Sequence, residues 1–120
     1  MVVDLDEAYE QIESYWDPHV AGELNGQHVK LARVEGRFDW HHHAESDELF
    51  FVREGELTIR FREDEDVTLR AGQFHVVPAG VEHQPVAEEE CRLLLFEPAE
   101  TRNTGNVESE KTVREEKRIE

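Results

Sequence analysis

Trp40-His41-His42-His43-Ala44-Glu45-Ser46-Asp47-Glu48 is the stretch on which the reading of this chain turns. In an extended strand successive side chains point to opposite faces, so His41 and His43 share one face while Trp40 and His42 take the other. Two imidazoles therefore project together. Glu48 stands five positions beyond His43, an odd step that would carry it to the wrong face of an unbroken strand. A turn has to intervene, and Ala44-Glu45-Ser46-Asp47 is polar enough to make one. Glu48 then opens a second strand, Glu48-Leu49-Phe50-Phe51-Val52, beside the first, where its carboxylate meets the two imidazoles. Asp47 is adjacent and chemically competent as a ligand, but register favours Glu48.

A fourth donor comes from further along the chain, in Gly72-Gln73-Phe74-His75-Val76-Val77-Pro78-Ala79-Gly80-Val81-Glu82-His83. Val77-Pro78-Ala79-Gly80 suits a type I turn, with Pro78 at its second position and Gly80 at its last, and the reversal aims His83 back. His42 faces away from the group and His75 is cut off from His83 by the turn, so both read as structural or supporting side chains.

Outward from these stretches the period of two continues. Strands are expected over 28–35, 38–43, 48–53, 56–62, 66–70, 73–77, 83–87 and 91–97, a count of eight that suits a jelly roll. Arg53-Glu54-Gly55 and Arg62-Glu63-Asp64-Glu65 read as hairpin turns, and Phe50, Val52, Ile59, Phe61, Phe74 and Val76 as barrel lining. Before the strands, Leu5, Ala8, Tyr9, Ile12, Tyr15 and Trp16 recur at helical spacing, which predicts a helix over 4–16 with Asp4 as N-cap, stopped by Pro18. After Glu97 the composition turns to Pro98, Asn103, Thr104 and Gly105. The charged tail beyond lacks an apolar stripe and reads as a solvated end, with 112–114 as a candidate pairing strand. The expected organisation is a helix and lead-in over 1–27, a barrel over 28–105 and a tail over 106–120.

The chain holds 29 Asp plus Glu against 13 Lys plus Arg, a formal charge of -16. Such a surface repels phosphate backbones, so nucleic acid is not an expected partner. Arg outnumbers Lys ten to three, and an acid-rich, Lys-poor surface resembles those of proteins from salt-loving microbes. No apolar run approaches the ~20 residues of a membrane span, and no membrane partner is expected. A single cysteine, Cys91, and no recognisable secretory signal point to the reducing cytoplasm. Cys91 itself, within Cys-Arg-Leu-Leu-Leu-Phe, reads as a small buried hydrophobe rather than a nucleophile.

Gly36 to Gly55 resembles the first signature of the cupin superfamily, with HxH, four residues, Glu, six residues and Gly all matched. Gly72 to His83 is similar to the second, matching G-x5-P-x-G-x2-H in full. Two departures spare the donors: four residues rather than five separate Gly36 from His41, and Ala87 stands where the second signature often has Asn. With the flanking strands the resemblance covers roughly 28–105, and the end of the chain resembles small stand-alone cupins.

The resemblance implies an all-β double-stranded β-helix, or jelly-roll barrel, preceded here by the short helix. It implies a metal in the barrel mouth held by His41, His43, Glu48 and His83. Three imidazoles and one carboxylate suit one divalent transition metal per chain, Fe, Mn, Ni, Co, Cu or Zn, better than Mg or Ca. In an octahedral shell two positions would stay open, which is what catalysis needs. The expected partner is a small organic molecule, and a homodimer is expected from the family and from the half-open sheet edges. Two functions follow: a metal-dependent oxidoreductase of dioxygenase type or an isomerase, or a non-catalytic barrel that binds a ligand or is stabilised by its metal. A sugar-phosphate isomerase is disfavoured because Lys and Arg do not cluster for a phosphate, with Arg60 and Arg62 phased outward. No separate protein base is legible.

Overall fold

Burial alternates longest along Gln27–Arg37 and His83–Pro98, strands of 11 and 16 residues that form the spine of the fold. The computed structural model describes residues 2–120. In it α1 (Leu5–Glu10) is followed by β1 (His19–Leu24), β2 (Gln27–Arg37), β3 (Glu48–Glu54), β4 (Glu56–Phe61), β5 (Val67–Arg70), β6 (Phe74–Val77), β7 (His83–Pro98) and β8 (Lys117–Arg118). β2 and β7 pair antiparallel from Gln27 opposite Pro98 to Arg37 opposite Val86. β4 lies along the first part of β7 and β3 along the second, with β5 beside β4 and β6 beside β3. Where β7 changes partner its register with β2 also slips, between Val34 and Gly36. This bulge bends the strand and curls the sheet into an all-β jelly roll.

Gly55, at φ 92°, makes the turn between β3 and β4, and a Cβ there would lie 2.8 Å from the Glu90 carbonyl. No side chain fits that approach, which accounts for the glycine of the first signature.

Several expected elements form differently. The segments 83–87 and 91–97 are one strand rather than two. Residues 38–43 form no strand and meet β7 through the bridge of His41 with His83 and through Phe38 N donating to the Pro85 carbonyl at 3.0 Å. The helix keeps its cap, Asp4 Oδ1 accepting from Glu7 N at 3.1 Å, but ends at Glu10. Beyond it, Arg33 Nη1 donates to the Ile12 carbonyl at 2.6 Å and Trp16 N to the Arg33 carbonyl at 2.9 Å. Bonds to β2 thus replace the helical ones, and Trp16 takes φ 60°. β1 forms where no strand was expected, joined to β2 through Asn25-Gly26 at φ 52° and 78°, a two-residue turn of strong hairpin chemistry. The tail is docked: β8 pairs in parallel with β1, at 117–118 rather than 112–114.

The interior is built from Val52, Leu57, Ile59, Cys91 and Leu93 with their neighbours, and each such buried aliphatic side chain contributes roughly 1.5–3 kcal/mol. Burial pushes the Cys91 thiol up to about 12, consistent with a packing role. On the outer side of β2, Ala8, Tyr9 and Ile12 close over Leu31, with the Tyr9 hydroxyl donating to the Leu93 carbonyl at 2.6 Å. Of the expected lining residues, Phe50, Val52 and Ile59 are buried and Phe61 partly so. Phe74 and Val76 are not lining, being 63% and 41% exposed. β6 pairs with β3 so that His75 opposes Phe50 and Val77 opposes Glu48, and opposed residues share a face. No helix among the described residues is long and apolar enough to cross a membrane.

Glu90 ties the lead-in to the barrel. It accepts from Arg33 Nη2 at 2.7 Å, Arg33 Nε at 3.2 Å and the Tyr15 hydroxyl at 2.9 Å. Arg33 first, and then Tyr15 against the opposing effect of burial, holds the carboxyl down to about 2 from an ordinary 4.5. Between those values the unfolded chain binds more protons, so this stabilisation is whole above about pH 4.5 and is lost as pH falls towards 2. The side chain is 34% exposed. Glu90→Gln is therefore expected to cost only about 1 kcal/mol at pH 7. Urea unfolding should show that difference closing near pH 3 and below.

Candidate metal centre

His41 and His83 are set side by side by backbone bonds in both directions, His41 N to His83 O at 3.0 Å and His83 N to His41 O at 2.9 Å. His43 follows on the same face, and Glu48 enters at the first position of β3 after the expected turn. All four side chains are buried, and one donor atom from each lies within 4.8 Å of the others. Glu48 Oε1 is 3.2 Å from His43 Nε2 and 3.6 Å from His83 Nε2. The structure thus brings together the four residues singled out in the sequence. Asp47 stays outside: it is exposed, and its Oδ1 accepts from Ala79 N at 2.8 Å, tying the Pro-Gly turn to the histidine loop. His42 is absent from the cluster, and His75 sits edge-on to Phe61 with ring centroids 6.1 Å apart.

The protonation pattern suits a cation. His41 Nδ1 lies 2.9 Å from the Asp39 carbonyl and His83 Nδ1 2.9 Å from the Val81 carbonyl. A carbonyl only accepts, so each ring carries its proton on Nδ1 and turns the Nε2 lone pair inward. Burial first, and then His83, pushes His41 down to about 4, which keeps that imidazole neutral. Burial alone would raise Glu48, but the close approach of His43 and His83 holds its carboxyl well below the usual range. His43 Nε2, Glu48 Oε1 and His83 Nε2 are buried without a hydrogen-bond partner. Inward lone pairs beside a carboxylate, unmet by any donor of the chain, fit a metal ion, and the N3O set fits a transition metal.

Two features escaped the sequence reading. The first is a strap from the C-terminal segment. Asn106 pairs with both backbone groups of His42, Oδ1 accepting from His42 N at 2.9 Å and N donating to His42 O at 3.1 Å. Ser109 donates to Asp39. A Cβ on Gly105, at φ 56°, would lie 2.2 Å from the His42 carbonyl and 3.0 Å from the His41 ring. Gly105→Ala must therefore push the strap off the loop between His41 and His43. We expect a loss of 2 to 3 kcal/mol in unfolding free energy, about that of a strained backbone with a lost contact, together with weaker metal retention on dialysis.

The second is Glu97, with Lys30. They are 1% and 0% exposed. Lys30 Nζ is 3.1 Å from Glu97 Oε1 and 2.8 Å from Glu116 Oε2 in the tail, and 3.4 Å from the Thr101 carbonyl. These carboxylates hold the ammonium above its ordinary value although burial opposes them. Burial first, and then the Glu48 charge, pushes Glu97 well above the usual carboxyl range, with Lys30 acting against both. A signal was present: Glu97 is in phase with Cys91, Leu93 and Leu95, and Lys30 with Ala32 and Val34, all inward. Glu97, Glu48 and His41 line a cavity of about 30 Å³ walled otherwise by Trp16, Phe38, Leu93 and similar groups, room for about two waters. Arg60 and Arg62 lie elsewhere, 5.3 and 4.0 Å from the Trp40 ring centroid.

Residues 27–97 match the Cupin_2 family, described as a cupin domain. The chain is 44% identical to a cupin-2 domain containing protein from Shewanella frigidimarina NCIMB 400, covering 81% of this chain and 94% of that one with a TM-score of 0.78. An uncharacterised Bacillus subtilis protein, YdbB, is 47% identical over 62 residues, which is 52% of this chain and 55% of that relative, so the match spans about half of its length. Hydroquinone 1,2-dioxygenase from Sphingomonas sp. TTNP3 shares the fold at 21% identity and a TM-score of 0.72, over 82% of this chain and 32% of that one. With barrel, signatures and relatives in agreement, this chain belongs to the cupin superfamily, as one of its small Cupin_2 members.

Proposed function

We propose that His41, His43, Glu48 and His83 bind one divalent transition metal, and that the protein is a metal-dependent oxidoreductase of dioxygenase type acting on a small organic molecule. The observation that carries this is the convergence of four buried donors, three of whose inward atoms have no partner in the chain. A bound metal would supply Lewis acidity or a site for dioxygen. The residues around it would exclude water: Trp16 and Phe38, stacked with ring centroids 4.8 Å apart, and Phe50 and Leu93 form a largely apolar wall. His41 and His83 are held in one tautomer by backbone carbonyls, so they meet the metal without reorganising. An apolar wall and outward Arg60 and Arg62 favour oxidative chemistry over a sugar-phosphate isomerase. The shared barrel of a hydroquinone 1,2-dioxygenase is compatible with this reading and speaks only to the fold.

The test is oxygen uptake by iron- or manganese-loaded protein across small phenols, enols and diketones. Turnover that follows metal content supports the enzyme. A second reading, a non-catalytic module, is favoured by the small cavity, about 30 Å³; melting shifts on ligand addition without turnover would establish it. The homodimer implied by the resemblance belongs to the same proposal, and sedimentation at the mass of one 14.0 kDa chain would remove it.

A further inference from the structure

The cavity beside the cluster is closed on its solvent side by one aromatic ring. Of the residues that line it, all are buried except Trp16 and Asn103, which are half-buried. Asn103 is fixed at both ends of its amide, Nδ2 donating to the Lys111 carbonyl and Oδ1 accepting from Val113 N, each at 2.9 Å. Trp16 is fixed under strain. Its φ of 60° lies in the left-handed region, which a bulky residue rarely enters. Three contacts hold it there: its N donates to the Arg33 carbonyl at 2.9 Å, its ring N–H donates to the Glu35 carbonyl at 2.9 Å, and its ring stacks on Phe38 with centroids 4.8 Å apart. Phe38 in turn sits edge-on to His41, with 5.3 Å between centroids. Strain of this kind persists only where the surroundings over-determine it, and such places cluster at ligand sites. With the indole in this position the cavity is about 30 Å³, space for about two waters. Beyond the atom that meets a metal, a ligand has room for a methyl group or an oxygen and none for a ring.

We propose that Trp16 is a specificity-determining residue: its indole, stacked on Phe38, sets the size of ligand that the four-residue cluster admits, and restricts it to small aliphatic molecules. This inference rests on the metal reading above and narrows its substrate class. Neither Trp16 nor Phe38 belongs to the cluster of donors, so metal binding and ligand choice are separable. Position 16 also allows the ring to be removed cleanly, because glycine takes a φ of 60° without strain. Trp16→Gly keeps the backbone bond to Arg33 and deletes only the wall.

The test uses Co2+-loaded protein and two probes, acetate and benzoate, which offer the same carboxylate and differ in a methyl group against a ring. Binding is followed in the visible spectrum of the cobalt. Wild type should bind acetate at least about tenfold more tightly than benzoate, because a ring forced into a packed site meets the penalty of overpacking. In Trp16→Gly the benzoate ring can take the space the indole leaves, and the apolar surface it buries there favours it. Benzoate should then bind at least as tightly as acetate while cobalt stays bound. Should that variant fail to fold, Trp16→Leu removes the stack, keeps an apolar side chain and should move the preference towards benzoate likewise. Equal affinities in wild type, or an acetate preference that survives unchanged in the folded variant, would overturn the inference and leave the metal site standing. Loss of cobalt from Trp16→Gly would make the ring a support of the cluster and also overturn it. A wild type that takes up no cobalt would sink both proposals.

Discussion

Replacing His41 and His43 together with alanine is expected to reduce the metal content of the purified protein from about one per chain to below about a tenth, since two ligands cannot hold what four were needed to bind. The same variant should lose its response to chelation. A ligand that binds only the folded state stabilises by about 4 kcal/mol at a thousand times its dissociation constant. Wild type should therefore melt markedly lower after EDTA treatment, and the double variant should not change. The loop itself should survive, because it is held by backbone bonds from Asn106 to His42 and from Gly80 N to the His43 carbonyl at 2.8 Å. His42→Ala is the control: that side chain lies outside the cluster, and metal should be retained. Elemental analysis decides the matter. Full metal content in the double variant would remove the ligand assignment and the enzymatic reading with it.

Lys30→Met should be the most damaging single change outside the cluster. It strips the partner from Glu97, which is 1% exposed, and from Glu116, whose side chain is 17% exposed. Removing one member of a buried ion pair typically costs 3 to 5 kcal/mol, because the charge left behind is desolvated and unpaired. Lys30→Met/Glu97→Leu should recover most of that loss, since a buried pair replaced by apolar groups is often near neutral. Glu116, nearer the surface, can turn to water. Urea titration of the three proteins measures both differences. If Lys30→Met costs less than about 1 kcal/mol, the triad is not the anchor of the tail that its geometry indicates.

Much of this architecture is legible along the chain, and the reason is local. A period of two places His41 with His43 whatever the rest of the protein does. Pro78 and Gly80 shape a turn by their own backbone limits, and Gly55 can occupy a crowded left-handed position that no other residue could. Asn25-Gly26 is equally local in its physics, so the first hairpin was also within reach. The misplacements have a different character. Tyr15 and Trp16 continue the helical spacing of Leu5 to Ile12, yet the helix stops because Arg33, far away in sequence, offers better partners for that backbone.

Phe74 and Val76 mark the boundary between the two kinds of information. Their alternation with His75 and Val77 is written in the sequence, but either pair could face the core. The pairing of β6 with β3 decides, because the register that opposes Val77 to Glu48 sends the phenylalanine outward. Lys30 and Glu97 show the same limit from the other side. Each is in phase with inward residues, and each is polar; only the approach of the strands and the returning tail lets one neutralise the other. By itself the sequence determined the barrel, its turns and the four donors, since these rest on backbone preference and side-chain period. The tertiary structure alone decided which faces are buried, where the tail docks and that Glu97 lines the cavity beside His41 and Glu48. Those outcomes depend on contacts between distant segments, whose energies exist only once the sheet has closed.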